Sequence, residues 1–437
     1  MESVVDGGAD RLVALARRGT VPGDETSGVL RAVAAEAGLE RVRVLAWRDL
    51  DDPEAGGSER HAHRVASLWA RAGLEVALRT SAVGRRSSMV TRDGYRVVRR
   101  SGRYAVFARA AAEGLSHPAR PGEAMVEIWN GMPFWSPLWF RGPKVVFLHH
   151  VHAEMWGMTL PAWMARTGEV AERWMAPPVY RTTRVVTLSR SARAEIVERL
   201  GLRPDRVSVV PPGVEPKFSP GLGRSSTPLV VAVGRLAPVK RFDLLIRALV
   251  KVREALPDVR AVIVGEGQER RRLEALRHEV GADDWLSLPG RVDDDALVGW
   301  YRRAWVVASA SLREGWGMTL TEAGACATAV VASDIAGHRD AVVDGRTGLL
   351  ARGEAGLAVA IDRVLRDDDL RARLGRQGLA RARRLTWDRT ARGILEALAE
   401  EVYWAPGRRD ASPRAVAQRA TARQAVAQRV GRRGAAS

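Results

Sequence analysis

Glu314 and Glu322 bracket a glycine-broken turn in the stretch REGWGMTLTEAGACATAVVASDIAG, residues 313–337. Gly315 and Gly317 let the backbone turn sharply and approach a ligand closely. From Met318 onward, Leu320, Ala323, Gly324 and Ala327 recur at helical spacing, so a helix is predicted to begin near Met318. The first amides of a helix lack intrahelical partners and carry the positive end of the macrodipole, which suits a phosphate oxygen. Glu322 falls one turn inside that helix and Glu314 on the loop before it. Carboxylates only accept hydrogen bonds, so the amides would hold phosphates while the two glutamates receive hydroxyls on either side. Hydroxyls flanking a diphosphate describe a nucleotide sugar. The same spacing also fits a helix-capping glutamate beside a solvated one, because a single short motif recurs by chance.

The elements that must position these residues form two series. After an Ala- and Arg-rich segment, residues 1–40, read as a peripheral extension, the first strand is predicted at residues 42–47. A glycine loop, DLDDPEAGGSE, and a helix over residues 58–72 follow it, which opens a βαβ unit. Further apolar runs at residues 75–80, 97–100, 125–129, 145–149 and 185–189 alternate with helical stretches. Residues 211–228, PPGVEPKFSPGLGRSSTP, read as a linker. The alternation then restarts with strands at residues 229–233, 260–264, 286–288, 305–308, 329–332 and 349–350. The expected fold is α/β, with two doubly wound domains facing a cleft at the carboxyl ends of their strands. The expected divisions are an extension (residues 1–40), an amino-terminal domain (41–215), a carboxyl-terminal domain (216–385), a helix packing back on the first domain (386–404) and a basic tail (405–437).

Composition narrows the function classes. A chain of 437 residues exceeds the roughly 250–300 at which a single core stops growing, so two domains are the default. It is 46% hydrophobic and 27% charged, as globular proteins are. No run of about 18 apolar residues and no amino-terminal signal pattern occurs, so a cytoplasmic protein is expected. Cys326, alone of its type, cannot form an internal disulfide and reads as a packing residue. The net charge of +18 favours anionic partners, but the arginines are spread along the chain. No zinc-finger spacing, aromatic RNA-binding strand or recognition helix supports nucleic acid as a partner. The tail carries eight arginines against one aspartate, a composition drawn to anionic lipid by about 1 kcal/mol per basic residue; a solvated tail is the plainer reading.

Five segments of the second half stand in one order between residues 231 and 350: VAVGRLAPVKRFDLLIRAL, VIVGEGQER, LPGRVDDDAL, the Glu314 stretch and DAVVDGRTGLL. Together they resemble the retaining GT-B glycosyltransferases of family 4, the glycosyl transferases group 1, which use nucleotide-sugar donors. In the first half, PEAGGSE resembles the family's glycine loop and VVFLHHVH its strand ending in histidine. The resemblance implies the GT-B fold, two Rossmann-like doubly wound domains facing a central cleft. It implies a hexosyltransferase without cofactor, a nucleoside diphosphate sugar being the co-substrate.

Carried over by position, Arg235 and Lys240 are similar to the basic pair that neutralises the donor diphosphate. Fixed cations are what a leaving group developing negative charge needs in the absence of a metal. Glu314 would contact donor-sugar hydroxyls and Glu322 the ribose. Gly317, Met318, Thr319 and Leu320 would offer amides, and Val292 would grip the base edge with Arg291 beside it. Gly265 and Gly267 would leave room for the nucleotide, and Gly56 and Gly57 would let the first-half loop close over phosphate and acceptor. His149 resembles the family's histidine near the transferred sugar, with His150 and His152 close enough to leave the register open. The sequence departs from the family pattern at Ala327 and Ala329, and at Gly337 followed by His338, which puts local loop shape in question.

Asp293 and Asp295 match a metal-binding DxD pattern, but they precede an amphipathic helix, where an aspartate reads better as the N-cap; no metal site is expected. A sugar-nucleotide epimerase and a catalytically inactive sugar-nucleotide binding protein are the competing readings. Tryptophans and methionines concentrated over residues 129–175 leave the acceptor open among a glycan, a lipid-linked sugar and a small molecule. A lipid-linked acceptor would place the protein peripherally at an anionic membrane surface on the cytoplasmic side, in cell-envelope glycan or glycolipid synthesis.

Overall fold

A computed structural model describes residues 22–152, 155–159 and 161–404. The basic tail, residues 405–437, lies outside the described residues. Strands β1 (Arg41–Leu45), β2 (Glu75–Thr80), β3 (Met89–Arg92), β4 (Tyr95–Arg99), β5 (Glu123–Trp129), β6 (Lys144–Leu148), β7 (Arg184–Thr187) and β8 (Val207–Val209) form the first sheet. Its order is β3-β4-β2-β1-β5-β6-β7-β8, parallel apart from the β3–β4 hairpin. Strands β9 (Leu229–Val233), β10 (Arg260–Val264), β11 (Leu286–Gly290), β12 (Val306–Ser309), β13 (Ala329–Ser333) and β14 (Leu349–Ala351) form the second. That sheet is wholly parallel, ordered β11-β10-β9-β12-β13-β14. This is the doubly wound α/β architecture that the alternation of strands and helices predicts.

The strands of a parallel sheet are covered on both faces and read as apolar runs. In β9, LVVAV, Leu229, Val231 and Val233 face one core while Val230 and Ala232 face another. Pairing Val42 with Val76 and with Ala124 fixes the centre of the first sheet. In that register the carboxyl ends of β1, β5 and β6 deliver Arg48, Asn130 and the histidines to one edge. The carboxyl ends of β9, β12 and β13 deliver Arg235, Glu314 and Gly337 to the opposing edge.

Three sequence expectations change. The segment before β1 is not peripheral: the helix Pro22–Ala37 buries Leu30, Ala34 and Ala37 in the main core and packs on the carboxyl-terminal helix. The hairpin strand β3 and the short β8 went unread, since four- and three-residue strands carry too little alternation to register. The final helical stretch is two helices, Asp368–Ala382 and Trp387–Trp404, broken between them. Trp387–Trp404 lies on the first domain, where the Trp69 indole donates to the Ala391 carbonyl at 3.0 Å and Arg184 pairs with Glu401 at 3.2 Å. The two chain crossings between domains run side by side. Val214 N–H donates to Leu385 O at 2.9 Å, and a Cβ on Gly213 would stand 2.2 Å from Trp387 N.

Candidate active site

The site is assembled from loops at the facing edges of the two sheets. After β9 the chain runs through Arg235 into a 3-10 turn, Pro238–Lys240, and reverses at Arg241 with a left-handed φ of 49° before the helix Phe242–Ala255. Arg235 is exposed and forms no ion pair among the described residues. Crowding by the protein lowers its pKa, and Arg48 lowers it further, against the opposing fields of Glu59, Glu54 and Glu314. Lys240 is bonded through Nζ to Glu314 Oε1, and Ser311 Oγ donates to the same oxygen at 2.8 Å. Burial alone would raise the Glu314 pKa. The charges of Lys240 and His338 and the hydrogen bonds from Lys240 and Ser311 outweigh it and hold the carboxyl at about 2.

The helix predicted near Met318 is Met318–Ala325, entered through Gly317 with φ 100°. Its first amides, at Met318, Thr319 and Leu320, face the cleft edge as a helix N-terminus does, while the Leu320 side chain is buried in the core. The loop before it is clamped from both sides. A Cβ on Gly315 would stand 2.6 Å from the His149 carbonyl oxygen of the first domain, and one on Gly337 would stand 2.1 Å from Glu314 O. His338 fills the place beside Gly317: a Cβ there would come within 2.9 Å of its ring, so this departure from the family pattern is absorbed by packing. Glu322 is buried, and the Tyr301 hydroxyl donates to it at 2.9 Å. Burial raises its pKa, opposed chiefly by Arg60, the Tyr301 hydrogen bond and Lys217.

Gly265 and Gly267 have another use than leaving room for a ligand. A Cβ would stand 1.9 Å from Gly234 O in the first case and 2.3 Å from Leu236 O in the second, so both let their loop pack against the backbone that carries Arg235. Val292 is half-buried against the core, and Arg291 reaches across the cleft to donate to Pro53 O at 3.0 Å. Asp293 is the N-cap of the helix Asp294–Arg303, its carboxylate accepting from Ala296 N at 2.8 Å.

On the opposing edge, Gly56 caps the helix Gly57–Arg71. The buried Glu59 carboxylate ties the glycine loop down, accepting from Gly56 N and Ser58 Oγ, each at 2.8 Å, and from Arg48 Nε at 3.1 Å. Gly57 abuts the donor helix, since a Cβ on it would lie 3.2 Å from Met318 Sδ.

The histidine register resolves away from His149. Its ring turns inward, with Nε2 3.3 Å from His61 Nδ1, and His61 in turn packs near Trp387. Successive residues at a strand end point to opposite sides, so His150 is the one aimed at the donor loop. Its Nδ1 is 3.5 Å from where a Gly315 Cβ would be, and it stacks on His152 at 4.9 Å between ring centres. Burial, then Arg313, with Lys240 also contributing and Glu314 opposing, pulls the His150 pKa down to about 4. It is neutral at pH 7. Burial, reinforced by the surrounding histidines, lowers His149 and His152 as well.

Sequence reasoning missed Arg48, Glu59, Arg60 and Tyr301. None lies in a segment that carried the reading of the donor half, and each meets its partner only through tertiary packing. Arg60, one turn into the helix after the glycine loop, is the residue whose spacing from Gly56 could have drawn attention.

Two Rossmann-like domains with a cationic, helix-capped edge facing a glycine loop define the GT-B glycosyltransferase class. Residues 55–218 match glycosyltransferase family 4, and residues 215–381 match glycosyl transferases group 1. A D-inositol 3-phosphate glycosyltransferase of Xylanimonas cellulosilytica is 30% identical over 82% of this chain and 96% of its own length. The chain therefore belongs to the family 4, group 1 glycosyltransferases. Among solved structures, sucrose-phosphate synthase from Thermosynechococcus elongatus superposes with a TM-score of 0.70 at 20% identity, over 84% of this chain and all of that one. Anabaena HepE in complex with UDP-glucose gives a TM-score of 0.66 at 18% identity, over 82% of this chain and 99% of that one. At these identities the two structures establish the fold.

Proposed function

We propose that the protein moves a hexosyl group from a nucleoside diphosphate sugar to an acceptor hydroxyl with retention of anomeric configuration and without a metal ion. The observation that carries this reading is the grouping on one cleft edge of unpaired Arg235, the Lys240–Glu314 pair, the N-terminus of the helix Met318–Ala325, and Glu322. In the proposed reaction the bond from the anomeric carbon to the diphosphate oxygen breaks. The acceptor oxygen bonds to that carbon on the same face, and its proton passes to the departing diphosphate. Arg235, Lys240 and the helix amides receive the charge that develops on the leaving group. Glu314 orients sugar hydroxyls and Glu322 those of the ribose. Lys240 can serve both partners, because an ammonium has three donors.

The acceptor belongs to the first domain. Trp163, Trp174 and Met175 are exposed there, and such side chains stack on sugar rings or rest at a lipid interface. Among the described residues no helix is long and apolar enough to cross a membrane. A lipid-linked acceptor met at the inner membrane face, in envelope glycan or glycolipid synthesis, fits the exposed tryptophans. A phosphorylated polyol fits the printed name of the Xylanimonas relative. Proton NMR of the product formed from an α-linked nucleotide sugar tests the reaction: an α-linked product supports it, and a β-linked product overturns retention.

A further inference from the structure

The underside of the first domain holds charge that the fold does not require. β1, RVRVL, and β2, EVALRT, turn Val42, Val44, Val76 and Leu78 toward the main core but set Arg43 and Arg79 on the other face, where a parallel sheet is ordinarily apolar. Beneath the helix Ala105–Ser116 this face opens into a cavity of about 360 Å³ lined by seven arginines and three glutamates, with Ala77 leaving space between them.

The glutamates are oversubscribed. Glu123 is held by Arg43 at 2.7 and 3.1 Å. Glu75 is shared by Arg96 at 2.6 Å and Arg41 at 3.2 Å. Glu113 takes Arg79 and Arg109, with Arg100 at 3.9 Å. Four positive charges remain without a counter-charge in the cavity. Arg79 Nε is buried with no hydrogen-bond partner, and the Arg120 side chain forms no ion pair among the described residues. Burial and the neighbouring Arg43 and Arg100 bring the Arg79 pKa down to about 10, the mark of a guanidinium lacking an anion.

We infer that this cavity is a second anion site, separate from the cleft, that takes a ligand bearing one or more phosphate groups. Guanidinium forks match phosphate oxygens two at a time, and the volume lies within the usual range for small-molecule sites. Arg41, Glu75 and Glu123 each begin their strand, so the cavity sits at the amino ends of the sheet, whereas the cleft lies at the carboxyl ends. Along extended backbone, Arg41 is roughly 20 Å from Arg48. The inference does not depend on the proposed reaction. The phosphate can belong to a soluble di- or polyphosphate or to an anionic lipid headgroup.

Arg96 and Arg120 are exposed rims of the cavity, so reversing them leaves the buried Arg43–Glu123 pair intact. Pyrophosphate is titrated calorimetrically into the full chain, the Arg96→Glu/Arg120→Glu variant, the cleft variant Arg235→Ala, and an equal charge reversal on the second domain, Arg373→Glu/Arg376→Glu. The same four proteins are sedimented with phosphatidylcholine vesicles with and without phosphatidic acid. At least tenfold weaker pyrophosphate binding in Arg96→Glu/Arg120→Glu alone identifies a soluble phosphate ligand. Loss of phosphatidic acid binding in that variant alone identifies a lipid headgroup. If neither measurement separates it from Arg373→Glu/Arg376→Glu, or if pyrophosphate binding is lost only with Arg235→Ala, the site does not exist.

Discussion

Lys240 and Glu314 are bonded to each other, ammonium to carboxylate, across two loops that follow neighbouring strands of the second sheet. The bond has two consequences for the donor edge. Glu314 stays ionised despite its burial and can accept hydroxyl hydrogen bonds at any physiological pH. Arg235 is left as the unneutralised cation of the pair that faces the diphosphate.

Removing Lys240 exposes what its charge does. With Lys240→Ala, burial becomes the dominant influence on Glu314, and its pKa climbs from about 2 to above the ordinary 4.5. In the native protein the folded pKa is depressed, so Glu314 contributes its full stabilisation above about pH 4.5 and loses it as pH falls through about 2. The variant should show kcat/KM lowered about 10²–10³-fold at pH 7.5, with a new acid limb that native enzyme lacks. A pH profile of unchanged shape would contradict the assignment.

Glu322 works in the opposite sense. Its folded pKa is raised by burial, so ionising it costs stability as pH rises through the carboxylate range. Glu322→Gln should therefore preserve or slightly raise Tm at pH 7.5 while raising the donor KM about 10–100-fold, the scale of a lost hydrogen bond to a charged group. Melting curves and donor titrations on one preparation separate the two effects.

The two histidines should separate in the same way. His149 is enclosed by Phe147 and His61, and His149→Ala is expected to cost about 2–4 kcal/mol of stability by leaving a cavity. His150→Ala should leave Tm nearly unchanged and lower kcat about 10–100-fold, on the scale of an oriented polar group in the site. Urea unfolding and steady-state kinetics on both variants check this. The reverse pattern would restore His149 to the site.

Ala327 sits in the left-handed region at φ 56°, at the end of the donor helix, where a side chain costs about 1–2 kcal/mol. Glycine relieves that strain but loses more backbone entropy on folding, so Ala327→Gly should stabilise by about 0.5–1 kcal/mol with kinetics unchanged. Denaturant midpoints at constant slope would measure it.

Strong local signals made much of the fold legible in the sequence. LVVAV and RAVIV were read to the residue as β9 and β10, because strands buried on both faces appear as unbroken apolar runs. Gly317 and Met318 marked the donor helix through backbone chemistry that is likewise local. The Lys240–Glu314 bond, the inward turn of His149, and the use of Gly265 and Gly267 to pack against Gly234 and Leu236 depend on which loops meet. No spacing along the chain encodes that. The same limit hid the helix Pro22–Ala37 from the core, since its composition is that of any Ala-rich surface helix.

The central claim is that Arg235, Lys240 and the helix at Met318 hold the diphosphate of a nucleotide sugar. Its most direct test is a thermal-shift titration of the native protein, Arg235→Ala and Lys240→Ala with UDP-, GDP- and ADP-sugars. The account predicts that one nucleotide series raises the native Tm by several degrees, as binding at about 100 times Kd contributes about 2.7 kcal/mol, and that either substitution abolishes the shift. A native protein stabilised by none of the three series, or variants that respond as the native protein does, would contradict it.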